Sequence, residues 1–143
     1  MILINCDIGE RGADHPVDME LMDHVGMANI ACGGHAGDAA SVEAFLRRAR
    51  GRGVKVAAHL SYPDRENFGR STIEISDEDL LASLDRQMEL MREARTVKFH
   101  GALYNDANVD VRRARLLAKW MKAKGIEEVV TPFDSELALP RFE

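Results

Sequence analysis

Short apolar segments alternate with longer helical segments along the 143-residue chain, and this alternation restricts the possible folds more than any other feature. The apolar segments are rich in Val, Ile or Ala and are bounded by Gly, Pro or Asp, which is typical of buried β-strands. They lie at residues 2–7, 27–32, 54–59, 96–100 and 128–132. The sequence between them predicts helices at residues 16–25, 39–52, 76–94 and 110–124. Such alternation favours parallel strands joined by helical crossovers. We therefore expect a single α/β domain over residues 1–143 with about five parallel strands, as an open sheet or a partial (βα) barrel.

The charge and hydropathy of the chain exclude several classes of partner. A formal net charge of −5 argues against nucleic acid or an anionic membrane as the main partner. No apolar run approaches the ~20 residues needed to span a bilayer. The N-terminus also lacks the basic and apolar regions of a signal peptide. We therefore expect a cytoplasmic protein, in which Cys6 and Cys32 are buried thiols and not a disulfide.

Polar and ionisable side chains collect where the first four predicted strands end. In chain order these ends carry Asn5, Asp7, Glu10, His35, His59, Lys98 and His100. Both sheet architectures place functional residues beyond the carboxyl ends of their strands. Three of the five histidines lie at such ends, followed by segments that we expect to form turns. The pattern predicts one functional site that binds a small molecule.

Two chemistries are consistent with Asp7, His35 and His59. One carboxylate and two imidazoles suit a divalent metal such as Zn²⁺, Mn²⁺ or Co²⁺ with open coordination positions. The same residues are also consistent with catalysis without metal, in which Asp7 orients a histidine general base such as His59 or His100.

Other polar residues near these ends are candidates for binding substrate. Lys98 suits a substrate carboxylate or an oxyanion, although a strand-end lysine reaching into solvent gives the same pattern. Arg70 suits a bidentate carboxylate clamp or an ion pair within its own loop. Asp38 is either a site residue or the N-cap of the following helix. The glycine-rich segment 33–37 lacks the Lys and Ser/Thr of a phosphate-binding loop, so nucleotide binding there is not expected.

Four segments, in matching order, resemble the LamB/YcsF family, to which the A subunit of bacterial 5-oxoprolinase belongs. They are INCDIGE (4–10), NIACGGHAGD (29–38), AHLSYPD (58–64) with FGR (68–70), and KFHGALYN (98–105). The matching motifs span residues 4 to 105, with weaker similarity beyond them.

The resemblance implies a distorted (βα) barrel of the glycoside hydrolase/deacetylase type. It also implies ATP-dependent opening of 5-oxo-L-proline to L-glutamate, carried out with partner subunits B and C. A metal-binding Asp-His-His set like that of related deacetylases would correspond to Asp7, His35 and His59. The motif match further makes Glu10, Asp38, Lys98, His100 and Asn105 site candidates.

The chain also departs from the family pattern. Family members are usually longer, so we expect the closing strands of the barrel to be missing and an exposed sheet edge to be covered by a homo-oligomer. Leu60 and Phe99 replace usual prolines. Alternative functions are therefore a stand-alone metal-dependent deacetylase-like hydrolase and a non-catalytic assembly module.

Overall fold

The strands pair in the order in which they occur along the chain, and every pairing is parallel. The computed structural model describes residues 3–137. Its strands are β1 (Asn5–Ile8), β2 (Met27–Ala31), β3 (Lys55–Leu60), β4 (Thr96–Phe99) and β5 (Glu128–Val130). Consecutive parallel strands in uninterrupted order are the arrangement of a (βα) barrel wall. The predicted α/β fold with five parallel strands is confirmed, and each strand overlaps its predicted segment.

Within residues 3–137, five helices connect or follow the strands. They are α1 (Pro16–Leu21), α2 (Ala39–Arg52), α3 (Asp77–Glu89), α4 (Gly101–Val109) and α5 (Val111–Ala123). Helix α2 has the predicted bounds, whereas α3 ends five residues before the predicted residue 94. Residues beyond Glu89 continue in tighter turns, with Met91 N donating to Met88 O, so that Met91 and Ala94 prolong the apolar stripe without prolonging the helix. None of the helices within the described part of the chain is long and apolar enough to cross a bilayer.

Helix α4 was not predicted, because a turn-forming loop was expected after the fourth strand. That expectation is wrong: α4 begins at Gly101, directly after β4, with His100 as its N-cap. The helix contains Gly, Asn and Asp, which have low helix propensity, and it lacks a clear apolar stripe. Burial of Leu103 and Ala107 in the core supplies the stabilisation that local sequence does not.

Side-chain caps fix the starts of two longer helices. Ser76 Oγ accepts a hydrogen bond from Asp79 N at 3.1 Å, as expected for the N-cap of α3. Asp38 is the N-cap of α2, and its carboxylate accepts from Ser41 N at 2.8 Å in a reciprocal capping box. Gly53 ends α2 in the left-handed conformation, with φ of 65°.

The two faces of the sheet differ in polarity. One face packs against the helices through buried residues that include Ile8, Ile30, Leu60, Val97 and Phe99. Residues directly opposite each other in a parallel pair share a face, and Asp7 is opposite Asn29 while His59 is opposite both Ala31 and Lys98. The other face therefore carries Asp7, Asn29, His59 and Lys98, so the sheet itself gathers the polar residues.

Gly101 lies where the start of α4 meets the loop before α3. Its φ is 56°, and a Cβ there would overlap the carbonyl group of Gly69. Ala102 N donates to that carbonyl oxygen at 2.9 Å, so the two backbone segments are in close contact. Only glycine combines this φ with this approach.

We expect Gly101→Ala to lower the free energy of unfolding by more than about 2 kcal/mol, because it adds both backbone strain and a steric overlap. Gly125→Ala is the matched control, since Gly125 also has positive φ, 68°, but no atom of residues 3–137 lies within 4 Å of its Cβ position. That control should cost about 1 kcal/mol. Urea unfolding of both variants measures the difference, and equal losses would contradict the close contact.

Candidate functional site

Four side chains from four different strand ends meet beyond the carboxyl end of the sheet. Glu10 follows β1, His35 lies in the loop after β2, His59 belongs to β3 and His100 follows β4. Each of the four residues contributes one carboxylate oxygen or ring nitrogen, and these four atoms all lie within 4.8 Å of one another. The three imidazoles are buried and the carboxylate is partly buried. We call these four residues the Glu/His cluster.

The imidazole rings are held in a fixed arrangement. The rings of His35 and His100 are stacked, with centroids 3.6 Å apart and planes within 2° of parallel. The ring of His59 is perpendicular to both, at centroid distances of 5.2 Å and 4.9 Å. Phe68 packs edge-on against His35 and His100 at just over 5 Å. Packing therefore fixes the directions in which the ring nitrogens point.

Backbone carbonyl groups determine the tautomers of two histidines. Lys98 O is 3.1 Å from His59 Nδ1, and Phe68 O is 2.9 Å from His100 Nε2. A carbonyl oxygen only accepts, so each of these nitrogens carries a hydrogen and donates it. In the neutral rings the other nitrogens, His59 Nε2 and His100 Nδ1, consequently present lone pairs to the cluster.

Those two lone pairs face each other across 3.1 Å. The carboxylate of Glu10 adds further lone pairs, because its Oε1 lies 3.5 Å from His59 Nε2 and 3.4 Å from His100 Nδ1. So many acceptors at these distances repel one another unless a positive species lies among them. Either a proton on His59 or a metal cation meets this requirement, and carbonyl acceptors on the outer nitrogens are the usual support of metal-ligating histidines.

Electrostatics within the cluster favours a proton on His59 over His100. Burial opposes charge on His59, but its contacts with Asp7 and Glu10 outweigh burial and raise the pKa of His59 above its ordinary value. Burial and the neighbouring His35 and His59 lower the pKa of His100 to about 4. For Glu10, burial is outweighed by hydrogen bonds with His35 and His59, which hold the pKa of that carboxyl well below its usual range.

Glu10 is held in place by the segment that follows β1. Asp18, fully buried in α1, accepts a hydrogen bond from Gly9 N at 3.0 Å and pairs with Arg11. Glu10 lies between these two anchored residues. Its Oε1 is 2.8 Å from His35 Nε2, the shortest contact between carboxylate and imidazole in the cluster.

An ion pair adjoins the cluster on the polar face of the sheet. Lys98 Nζ lies 2.6 Å from Asp7 Oδ1, which also accepts from Asn29 Nδ2 at 2.9 Å. The second oxygen of Asp7 lies 3.4 Å from His59 Nε2. Although burial acts against it, hydrogen bonds from His59, Lys98 and Asn29 hold the pKa of the Asp7 carboxyl far below its usual range. Asp7 is thus an ionised carboxylate beside the cluster.

The structure brings together some predicted site residues and separates others. His35 and His59, two of the three residues predicted as metal ligands, lie side by side. Glu10 and His100 are the residues grouped with them, and Asp7 contacts His59 alone among these histidines. The remaining substrate-binding candidates lie outside the cluster. Asn5 accepts from Asn29 at 2.7 Å, Asp38 caps α2, the exposed Arg70 stacks on Phe68, and Asn105 is exposed on α4.

The cysteines take no part in the cluster. Cys32 is fully buried, its Sγ donates to the backbone oxygen of His59 at 3.8 Å, and burial raises the pKa of its thiol to about 12. Cys6 is half-buried. Both are free thiols, but only Cys32 is buried, whereas both were expected to be.

Two residues that support the site were not singled out from the sequence. Asn29 is fully buried on the polar face, where it links Asn5 and Asp7. In the sequence, Asn29 can be recognised as a single amide side chain in an otherwise apolar strand, two residues before Ala31. Gln87 is buried in α3 and contacts the segment after β3, but nothing in its local sequence distinguishes it from a surface glutamine.

Comparison with known proteins agrees with the fold and with the motifs. The model of the LamB/YcsF family matches residues 2–138. The chain is 39% identical over 124 residues to the A subunit of 5-oxoprolinase from Haemophilus influenzae strain PittEE and to that of strain PittGG. Each match covers 81% of this chain and 49% of the relative, so the chain spans about half the length of these curated relatives.

A solved structure extends the similarity to three dimensions. The lactam utilization protein from Thermus thermophilus superimposes with a TM-score of 0.81 at 31% sequence identity. The match covers 95% of this chain and 60% of that protein. On the family match, the sequence identity and the shared fold, the chain belongs to the LamB/YcsF family.

Proposed function

We propose that this chain acts as an A-type subunit of an ATP-dependent 5-oxoprolinase, which hydrolyses 5-oxo-L-proline to L-glutamate. The observation that carries the proposal is the convergence of three buried imidazoles and a carboxylate at adjacent strand ends. That arrangement occurs in a chain 39% identical to a protein named as the A subunit of 5-oxoprolinase. It is suited to hydrolysis, because it gathers lone-pair donors and proton acceptors in a partly buried site.

The reaction adds one water to a five-membered lactam. The water oxygen bonds to the ring carbonyl carbon, the carbon–nitrogen bond breaks, and the ring nitrogen takes up protons to become the ammonium group of glutamate. A five-membered lactam is a stable amide, so the carbonyl must be made more electrophilic. Phosphorylation of its oxygen by ATP would do this and release ADP; ring opening by water would then leave an acyl phosphate, which a second water would hydrolyse to the glutamate carboxylate and inorganic phosphate. We assign ATP to partner subunits B and C because segment 33–37 lacks a phosphate-loop pattern.

The Glu/His cluster fits a divalent cation such as Zn²⁺, Mn²⁺ or Co²⁺. Three nitrogens and one oxygen within 4.8 Å of one another form a donor set that such ions accept. When bound, the cation would supply an acidified water or a polarised carbonyl oxygen. Glu10 and the three histidines would hold it, with carbonyl groups of residues 68 and 98 orienting two of the rings.

Asp7 and Lys98 would act on the substrate. Asp7 is ionised and lies 3.4 Å from His59, so it is our candidate for accepting a hydrogen bond from the attacking water and orienting it. Lys98 is partly exposed, and its ammonium group also lies 5.9 Å from the ring centroid of Tyr104. It would bind the carboxylate of 5-oxo-L-proline. Pairing with Asp7 is compatible with this role, because an ammonium group has three hydrogen-bond donors.

A second candidate function is that of a metal-dependent deacetylase-like hydrolase acting without partners. The observation that favours it is that one chain contributes all four members of the Glu/His cluster. The two functions differ in their requirements: the 5-oxoprolinase needs ATP and subunits B and C, whereas the deacetylase-like hydrolase needs only the cation and an N-acetylated substrate.

Metal binding gives the first test. We expect the purified chain to bind one Zn²⁺, with chelator removing it, and His59→Ala to weaken binding by more than about 100-fold because a ligand is lost. His24→Ala is the matched control, since His24 is exposed on the segment after α1 and should leave affinity unchanged. Elemental analysis and competition with a coloured chelator measure both, and equal affinities in the two variants would argue against the Glu/His cluster as the site.

Turnover gives the second test. The chain mixed with subunits B and C, ATP and 5-oxo-L-proline should release glutamate, and His59→Ala should abolish release while His24→Ala does not. Coupled glutamate detection measures it. Full activity of His59→Ala would refute the assignment, and deacetylation without ATP or partners would favour the second candidate function.

Lys98 gives a third test. Lys98→Met should raise the KM for 5-oxo-L-proline by roughly 10-fold or more, because an ion pair with the substrate carboxylate is lost. Lys55→Met is the control: Lys55 pairs with Glu128 at 2.5 Å near the amino ends of the strands, away from the cluster. A steady-state KM unchanged by Lys98→Met would rule out this role.

A further inference from the structure

We propose that Ser61, held by Gln87, is a positioning residue that orients His35. Its hydroxyl oxygen accepts a hydrogen bond from His35 Nδ1 when Nε2 binds a cation. The inference rests on the metal centre proposed above and extends it to two residues outside the cluster. It starts from the contact between His35 Nδ1 and Ser61 Oγ, 3.0 Å apart, in a region where both side chains are fully buried.

The backbone of Ser61 is bound by the side chain of Gln87. The amide oxygen of Gln87 accepts from Ser61 N at 3.0 Å, and its amide nitrogen donates to Ser61 O at 2.9 Å. Pairing of β3 with its neighbours ends at Leu60, so the sheet does not satisfy these two backbone groups. Gln87, only 4% exposed, supplies both hydrogen bonds from α3 and so fixes the residue that touches His35.

The hydroxyl group of Ser61 donates its own hydrogen to a backbone carbonyl group. Ser61 Oγ lies 2.9 Å from Tyr62 O, to which it donates. When it does so, its lone pairs are available to His35 Nδ1. A cation on Nε2 requires the ring hydrogen to be on Nδ1. Because Nδ1 is buried away from bulk water, Ser61 Oγ is the acceptor for the hydrogen bond that Nδ1 donates. This is the role that Lys98 O and Phe68 O play for His59 and His100.

An independent observation comes from Gly34, in the same loop as His35. A Cβ at Gly34 would overlap both Ser61 Oγ and the side-chain oxygen of Gln87. The backbone next to His35 therefore lies directly against the Ser61–Gln87 pair. The pair thus contacts the loop at two points, through the imidazole and through Gly34.

Ser61→Ala tests the inference, because it removes the acceptor and leaves the buried fold intact apart from one oxygen. We expect Zn²⁺ affinity to fall roughly 10- to 100-fold, as for other residues that orient metal ligands. Ser83→Ala is the matched control: Ser83 is also a buried serine and its hydroxyl also contacts Gln87, at 3.2 Å, but not His35. The control should stay within about threefold of the parent chain.

A second measurement needs no substitution. In the Zn²⁺-loaded chain, ¹⁵N spectra of the histidine rings should show a hydrogen on Nδ1 of His35 that exchanges slowly with water. If Ser61→Ala does not fold, this spectrum of the parent chain tests the inference instead of the affinity measurement. His35 carrying its hydrogen on Nε2 with Zn²⁺ bound would overturn the inference.

The outcomes separate the two proposals. Absence of Zn²⁺ binding by the parent chain would remove the metal centre and this inference together. Normal binding by the parent chain with equal affinity in Ser61→Ala would remove only the inference. An equal loss in Ser61→Ala and Ser83→Ala would also overturn it, since general loosening of the Gln87 contacts would then explain both.

Discussion

The parallel register of β1 to β4 is the constraint on which the site depends. Asp7 is opposite Asn29, and His59 is opposite Lys98, so these four side chains share one face of the sheet. The alternate residues, among them Ile8 and Leu60, are fully buried against the helices. A slip of one residue in any pairing would exchange the two faces of that strand, burying charges among the helices and removing apolar residues from the core. The core and the site therefore specify the same register.

The chemistry of the polar face follows from an excess of acceptors. Asp7 and Glu10 are carboxylates, and the outer nitrogens of His59 and His100 are committed to carbonyl oxygens. The ammonium group of Lys98 offsets Asp7, at 2.6 Å, but it is not a member of the Glu/His cluster. The cluster is left with acceptors that need a positive partner, which is why protonation of His59 and cation binding are alternatives for the same volume.

The sequence was sufficient to predict the sheet and the region of the site. Short runs rich in Val, Ile and Ala located all five strands, and parallel pairing then required their carboxyl ends to meet. The sequence did not show which carboxylate lies among the three histidines, because Glu10 is in a loop whose course depends on Asp18, buried in α1. Metal binding by Asp7 stays a prediction. Gln87 was undetectable for a similar reason, since its two bonds to Ser61 join residues 26 positions apart on different elements. Helix α4 was not predicted because burial of its side chains in the core, and not the helix propensity of its residues, stabilises it.

The proposed cation binding and the proposed hydrolysis would make different demands on this fold. All four members of the Glu/His cluster come from the ends of β1 to β4, and β5 and α5 contribute none of them. The supporting bonds from Asp18, Ser61, Lys98 and Phe68 also come from residues between the start of β1 and the end of β4. The cluster is thus assembled locally, whereas the proposed binding of a lactam in the absence of bulk water would require walls around the polar face as well. Metal affinity should consequently report on the first four strands alone, and turnover on everything that encloses them.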